Sequence, residues 1–255
     1  MLRSDRWKLH ELNLMCSRSF LVVLALSVGV ALAQSGEERV RPSVAVCYFE
    51  DLSAPPLGDS ALYQKLFATL YVRCLETLDV FDVADRTRVQ EAIDSLKLAA
   101  FGILESEQIG KMVGARYMLL GDFQAIGNEK FILNVRLLDM TNGRLVPGAA
   151  DNAMLALSEV SDFCQETARK TAKALDLSAS KSARANLKKV GSSSVDALRA
   201  LGTALVSRDA KGYEEALVNL DRARKLDPDF AELDRQRTEI EALIELREKA
   251  RTGKP

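Results

Sequence analysis

The chain has 255 residues, of which 47% are hydrophobic and 28% are charged. This composition is typical of a globular domain with an appendage, and it excludes a disordered chain or a disulfide-rich scaffold. The 35 basic and 36 acidic residues nearly cancel, so no strong basic field indicates a nucleic-acid partner. The single histidine, His10, lies before the cleavage site predicted below. A mature chain without imidazole excludes Ser-His-Asp triads and histidine zinc centres.

Residues 1–33 are predicted to be a signal peptide. Residues 20–33, FLVVLALSVGVALA, are an apolar run of h-region length, too short to span the roughly 30 Å membrane core comfortably. Arg18 supplies positive charge before the run, and Ala31-Leu32-Ala33 before Gln34 matches a cleavage site. We therefore expect a periplasmic protein, with outer-membrane association left open, and no transmembrane segment after cleavage. A buried segment of a cytosolic protein is the alternative.

The start and the cysteines leave further alternatives open. Translation starts at Met1 or at Met15. A start at Met15 gives a shorter signal sequence that lacks the mixed-charge residues 1–14. Cys16 precedes the apolar run, so it does not match an acylated lipoprotein cysteine. The other cysteines, Cys47, Cys74 and Cys164, lie in apolar stretches and match no metal-binding spacing. Buried free thiols are favoured over a Cys47–Cys74 disulfide.

The charge balance divides the mature chain near residue 179. Acidic residues outnumber basic ones in residues 34–178, and basic residues outnumber acidic ones thereafter. The small, polar and basic residues around 179–194 are typical of a linker or a frayed helix. We therefore predict an α+β domain over residues 34–178, a linker over 179–194 and a helical domain over 195–255.

The α+β domain is predicted from alternating strand and helix patterns. Strands are expected at Val44–Phe49 and Val80–Ala84, and helices are expected from Asp59 or Ser60, from Asp85 or Thr87, from Ser106 to Gly114 and from Ser158 to Leu177. Three further strands, Arg116–Ile126, Lys130–Met140 and Arg144–Ala156, are separated by hairpin turns. The pattern predicts a mixed sheet with an antiparallel three-stranded meander and helices on its faces.

The last 61 residues are predicted to be all-helical. Helices are expected at Val195–Ser207, Tyr213–Leu226 and Phe230–Ala250. Arg237 and Arg247 interrupt the apolar seam of the third helix, which favours a solvated capping helix over a coiled coil.

Sequence motifs for catalysis are not completed in this chain. The stretch from Gly102 to Lys111 resembles a phosphate-binding loop only superficially, because Met112 stands where that motif requires a hydroxyl residue. Neither a G-x-G-x-x-G nor a G-x-S-x-G motif occurs, and the adjacent acidic pairs are typical of solvated surface. We predict no catalytic, cofactor-binding or metal-binding residue, no cofactor, and no enzymatic activity.

Four pieces of the α+β domain resemble the domain shared by the curli-secretion channel CsgG and cell-wall-synthase activator lipoproteins. They are residues 44–51 (VAVCYFED), the pair Asp85-Arg86 after VFDV, residues 109–121 (IGKMVGARYMLLG) and residues 136–143 (RLLDMTNG). The resemblance covers roughly residues 44–177. The motif positions are Arg86, Gly110, Gly114, Gly121, Asp139 and Gly143, and a structural role is favoured for each.

The helical domain resembles one tetratricopeptide repeat. Signature positions are matched by Leu201-Gly202, Gly212-Tyr213, Ala216, Leu220, Ala223 and Leu226-Asp227-Pro228. One repeat cannot bury its own apolar face, so it must pack on another part of this chain or on another protein. The resemblance therefore implies a partner surface that includes Leu201, Gly202, Tyr213, Ala216 and Leu220.

Together these features predict a non-enzymatic periplasmic scaffold that binds protein partners in the cell envelope and does not bind nucleic acid. The alternatives are a subunit of a curli-type secretion channel and an activator of a peptidoglycan synthase. A channel of that type needs long membrane-spanning hairpins in addition to its globular sheet. The meander strands are already required by the domain's own sheet, so the sequence disfavours the channel alternative. Homo-oligomerisation and the identity of the partner stay open.

Overall fold

The order of strands and helices confirms the α+β class. A computed structural model describes residues 40–85, 88–89, 92, 111–127 and 130–252. The strands in these ranges are β1 (Ser43–Val46), β2 (Glu50–Asp51), β3 (Asp82–Val83), β4 (Tyr117–Ile126), β5 (Lys130–Asp139), β6 (Arg144–Leu145) and β7 (Asp151–Ala156). The helices are α1 (Ser60–Leu78), α2 (Val160–Ala174), α3 (Lys181–Leu187), α4 (Val195–Asp209), α5 (Tyr213–Leu226) and α6 (Glu232–Thr252).

The strands form one mixed sheet in the order β3-β1-β4-β5-β6. β1 is parallel to β3 and to β4, and β2 is also parallel to β4. β5 is antiparallel to β4, β6 and β7, as the predicted meander requires. The predicted third strand, Arg144–Ala156, is divided into β6 and β7. Pro147 has no N–H to donate and Gly148 has a φ of +78°, so this stretch cannot continue the ladder.

One face of the sheet is buried under α1 and α2. Alternate residues of β4 and β5 point to this face, and their aromatic rings meet those of α1. The Phe67 ring lies perpendicular to the Phe123 ring with centroids 5.3 Å apart, and it lies 5.6 Å from the Phe131 ring. These edge-to-face contacts fix how α1 sits on the sheet.

The other face of the sheet carries a smaller core beside the predicted middle helices. Val89, Ala92 and Val113 are helical and buried against residues of β1 and β4, including Ala45 and Met118. Of these two predicted helices, residues 86–87, 90–91 and 93–110 lie outside the described residues. Near the chain's middle, Ser158 occupies a 3-10 turn, Leu157–Glu159, so α2 begins at Val160 and not at Ser158.

The predicted linker is instead a packed segment. α3 begins after Ser180, whose hydroxyl accepts a hydrogen bond from the Ala183 N–H at 3.0 Å. Leu187 is fully buried against α1, and the Val190 carbonyl accepts a hydrogen bond from Gln165 of α2 at 2.7 Å. Two buried apolar residues at helical spacing, Ala183 and Leu187, are enough to anchor α3 on its neighbours, although its composition is that of a linker. The described residues from Arg41 onward form one compact unit.

The three helices predicted at the end of the chain are present as α4, α5 and α6. α4 packs on α1 at Gly202, where an added Cβ would lie 2.5 Å from the Leu62 side chain. α6 covers α5 through Leu233 and Ile240, both buried. No helix in the described ranges combines the length and the apolar character that crossing a membrane requires.

Gly121 in β4 permits a close approach between the sheet and the β1–β2 connection. A Cβ at this position would lie 2.3 Å from the Phe49 ring, which is buried and stacked on Tyr71. A side chain there must displace a core aromatic ring.

We expect Gly121→Ala to lower the free energy of unfolding by about 1 to 3 kcal/mol, because overpacking strains a close-packed core. Urea denaturation followed by circular dichroism measures this change. Gly58→Ala is the matched control, because nothing lies within 4 Å of the added Cβ. Equal stability of the Gly121 variant and the parent protein would contradict the close approach.

Cys47, Cys74 and Cys164 are free and buried, in agreement with the favoured interpretation. Burial raises the pKa of the Cys47 thiol to about 12 and also raises the pKa values of Cys74 and Cys164. A thiol without accessible thiolate reacts slowly.

We therefore expect none of these three thiols to be alkylated by a maleimide in the native protein at pH 7. All three should react once the protein is unfolded in guanidinium chloride. Peptide mapping by mass spectrometry measures the labelling, and rapid labelling of any of them in the native protein would contradict their burial.

Candidate partner-binding cleft

A cleft of about 1010 Å³ separates α1 from α6. One wall is the stripe of α1 from Ala61 to Glu76, and the other is the stripe of α6 from Glu232 to Leu243. The loop after β1, the end of β3 and the turn between α4 and α5 close the remaining sides. Small side chains such as Ala61 and Ala242 alternate with charged ones along these walls, which leaves room between the helices.

Asp209 organises the end of the cleft beside the α4–α5 turn. Its carboxylate pairs with Lys65 of α1, and it accepts hydrogen bonds from Tyr48 Oη and Arg208 Nη2, each at 2.8 Å. The Lys65 ammonium also lies 4.4 Å from the centroid of the Tyr48 ring. Burial alone would raise the pKa of Asp209, but Arg208 and the hydrogen bonds from Lys65 and Tyr48 lower it to about 2.

A second charged group joins α6 to α1 at the opposite end. Arg235 of α6 pairs with Glu76 of α1, and its Nε lies 2.8 Å from Glu239 Oε1. The Nε of Arg73 on α1 lies 3.4 Å from Glu232 Oε2 on α6. Between the two ends, Arg208 Nη1 donates to Gln236 Oε1 at 2.8 Å. The walls of the cleft are therefore held together by polar contacts.

Glu232 is the most deeply buried charged group of the cleft, with 1% of its surface exposed. Its Oε1 accepts a hydrogen bond from Gln236 Nε2 at 2.7 Å, whereas its Oε2 receives no hydrogen bond. Burial raises the pKa of Glu232 to about 7, against the opposing effects of Gln236, Arg235 and Arg73. This carboxyl group therefore changes its charge near neutral pH.

The partner residues predicted from the repeat signature are mostly inside the protein. Leu201, Gly202, Ala216 and Leu220 are buried where α4 packs on α5 and α1, so they offer no surface to another protein and this prediction is corrected. The physical reason is that these helices bury their apolar faces against their own chain. Tyr213 is only half-buried and lines the cleft, where it stays a predicted contact.

Four of the predicted structural positions, Gly114, Gly121, Asp139 and Gly143, are described and do not line the cleft. Gly114 and Gly143 have positive φ angles of 69° and 65°, which a helix end and a tight turn require. Asp139 Oδ1 accepts a hydrogen bond from the Thr141 N–H at 2.9 Å within the turn between β5 and β6. Arg86 and Gly110 lie outside the described residues.

The cleft was not predicted from sequence patterns, although these patterns did identify the two arginines that interrupt the apolar seam of α6. Arg237 and Arg247 pair with Asp221 and Glu214 of α5, and the Arg247 guanidinium lies 5.2 Å from the Tyr213 ring centroid. α6 is therefore attached along α5 by ion pairs as well as by its apolar side. The sequence signal that could have indicated this site is the alternation of acidic and basic side chains at Glu232, Arg235 and Glu239. These residues are three and four positions apart, so they lie on one face of the helix.

Comparison with known proteins finds distant structural neighbours. No family model and no curated protein matches the chain. The LpoB protein of E. coli is 15% identical, with a TM-score of 0.37 over 46% of this chain and 59% of LpoB. Lipoprotein GNA1162 from Neisseria meningitidis is 15% identical, with a TM-score of 0.36 over 45% of this chain and 79% of its own. TolB from Acinetobacter baumannii is 14% identical, with a TM-score of 0.33 over 53% of this chain and 28% of its own.

The described side chains of the cleft offer ion pairing and hydrogen bonding to a ligand. Among the described residues, no group of three or more histidine, cysteine, aspartate or glutamate side chains is placed to hold a metal ion. The charged side chains are arranged as ion pairs that bridge the two walls, where a ligand with polar groups can exchange partners with them.

Asp209 provides a pH test of the network at the α4–α5 turn. Its folded-state pKa of about 2 lies below its ordinary value of 3.8, so its stabilising effect is present above about pH 4 and is lost as the pH falls through 2. We expect Asp209→Asn to lower the free energy of unfolding by about 1 to 2 kcal/mol at pH 7.

The difference between this variant and the parent protein should shrink as the pH is lowered from 5 towards 2. Urea denaturation at a series of pH values measures it. Asp229→Asn, which changes an exposed aspartate in the α5–α6 connection, is the control and should have little effect. A difference that stays constant with pH would contradict the role of the Asp209 charge.

Proposed function

We propose that this chain is a non-enzymatic protein of the cell envelope that binds other proteins, and that the cleft between α1 and α6 is its binding site. The observation that carries the proposal is the cleft itself. Its α1 wall extends over the 15 residue steps from Ala61 to Glu76, or about 22 Å at 1.5 Å per residue. An extended peptide of about seven residues spans that length.

The lining supports a protein ligand. The volume of about 1010 Å³ is at the upper end for small-molecule pockets, and both ends of the cleft carry charged side chains. Polypeptide segments offer backbone amides and side-chain charges at several points, which matches a long groove with polar groups at each end. The single histidine of the chain, His10, lies in the predicted signal peptide, which supports a role in binding over one in catalysis.

The predicted signal peptide supports the envelope location, because an apolar run with a preceding arginine and a following Ala-x-Ala site directs export. A finer proposal is that the bound protein is a cell-wall synthase, which this chain activates. Its support is the sequence resemblance of residues 44–177 to synthase-activator lipoproteins.

Photo-crosslinking in cells tests both the protein-binding role and the finer proposal that the bound protein is a cell-wall synthase. We expect p-benzoylphenylalanine in place of Ala242, an exposed residue of the cleft, to capture a defined envelope protein. Mass spectrometry identifies that protein. A cell-wall synthase supports the finer proposal, another envelope protein supports the scaffold alone, and a ring of secretion-channel subunits favours the channel alternative.

A paired set of variants locates the binding surface. With the crosslinker at Ala61, we expect Ala242→Trp to reduce capture at least tenfold, because the indole fills the cleft. Val218→Trp, on the exposed side of α5 and outside the cleft, is the matched control and should leave capture unchanged. Capture that survives Ala242→Trp, or that occurs only from Met154 on the exposed sheet face, would contradict the assignment.

A further inference from the structure

Glu232 lies where α6 is attached to α1, and its environment is unfavourable for a negative charge. The carboxyl group belongs to the first turn of α6 and is 1% exposed. One oxygen is hydrogen-bonded to Gln236, but neither Oε2 nor the facing Nε of Arg73 makes a hydrogen bond across the 3.4 Å that separates them. A buried carboxylate with an unfilled oxygen costs free energy that access to water would recover.

Ion pairs that do not involve Glu232 also join α6 to α1 and α4. The groups that act on the Glu232 carboxyl group are Arg73 from α1 and Arg235 and Glu239 from α6, and Glu232 acts in turn on Cys74 from α1. Glu76 from α1 and Arg208 from α4 pair with Arg235 and Glu239, while Arg169 from α2 acts on the Cys74 thiol. Burial raises the pKa of Cys74, so this thiol is neutral. Arg235 is shared between Glu76 and Glu239, and Arg208 also reaches Glu239. The attachment therefore keeps ionic contacts when Glu232 is protonated.

α6 has different contacts on its two sides. Towards α5 it packs through buried Leu233 and Ile240, whereas towards α1 the contacts described above are ionic and border an open cleft. Ionic contacts at a water-filled edge are weaker and more easily exchanged than a packed apolar seam. The end of α6 that carries Glu232 can therefore separate from α1 while its apolar contacts with α5 persist.

We propose that Glu232 is a proton-controlled latch between α6 and α1, and that loss of its proton favours separation of the two helices and widens the cleft. That this opening admits a protein partner rests on the function proposed above, whereas the movement of α6 does not.

The direction of the effect follows from linkage. The closed cleft raises the pKa of Glu232 to about 7 from the ordinary value of 4.5, so the closed form binds the proton more tightly than a form in which water reaches the carboxyl group. The closed form is favoured at low pH. The opening equilibrium rises by about five- to sevenfold per pH unit between pH 5 and 7, or about 40-fold in total, and levels off above pH 7.

Distances across the cleft in the purified protein alone test the latch. With nitroxide spin labels at Ala61→Cys and Ala242→Cys, on opposite walls of the cleft, we expect electron double resonance to show a longer distance whose population relative to the shorter one rises about 40-fold from pH 5 to pH 7. Glu232→Gln, which has no charge to lose, should show no such rise. Glu241→Gln is the matched control, because Glu241 lies exposed on the same helix, and it should behave like the parent protein.

A distance distribution that is independent of pH in the parent protein, or an unchanged rise in Glu232→Gln, would overturn the latch. If Glu232→Gln does not fold, a carbon-13 titration of the carboxyl groups of the parent protein decides instead. Titration of Glu232 near pH 7 supports the latch, and titration near its ordinary pKa of 4.5 overturns it.

The partner is tested separately by crosslinking from Ala242 at pH 5 and pH 7. More capture at pH 7, lost in Glu232→Gln, supports partner entry through the opening. Failure to capture any protein while the distance distribution changes with pH would refute the binding function and leave the latch standing.

Discussion

The burial of α1 is the constraint on which the rest of the structure depends. Its aromatic face is fixed on the sheet by Phe67, and other faces of the same helix are covered by α2, α3 and α4. Ten of its 19 residues are buried, so α1 is a core helix and not a surface helix of an α+β layer. Every later helix must pack around it, which is why the helical segment at the end of the chain does not stand apart.

The cleft follows from this constraint. α1 offers its remaining stripe, from Ala61 to Glu76, to α6, and that stripe carries small and polar residues in place of large apolar ones. α6 is held in turn by its apolar seam on α5, so it cannot close onto α1 by hydrophobic contact. Ion pairs bridge the gap at both ends, and Glu232 becomes buried among them because the first turn of α6 is pressed against Arg73.

Local patterns predicted individual elements well and their environment poorly. Hairpin signals placed β4, β5 and the turn at Gly143 correctly, because turn residues with positive φ and alternating hydrophobicity are local properties. The composition of residues 179–194 indicated a linker, yet Leu187 is fully buried. Burial of a short helix depends on the neighbour that accepts its few apolar side chains, and that neighbour is more than 100 residues earlier in the chain.

The amino-acid sequence by itself determined the α+β class, the antiparallel meander and the three closing helices, because each depends on periodicity, turn chemistry and caps within a few residues. The tertiary structure alone decided which residues are available to a partner. Leu201 and Leu220 match the pattern of a binding face but are covered by their own chain. Glu232, in contrast, has a sequence context typical of an exposed helix position, and yet it is 1% exposed. The exposure and the pKa of a side chain depend on residues that are distant in the sequence and close in the fold, and a local sequence pattern does not predict these contacts.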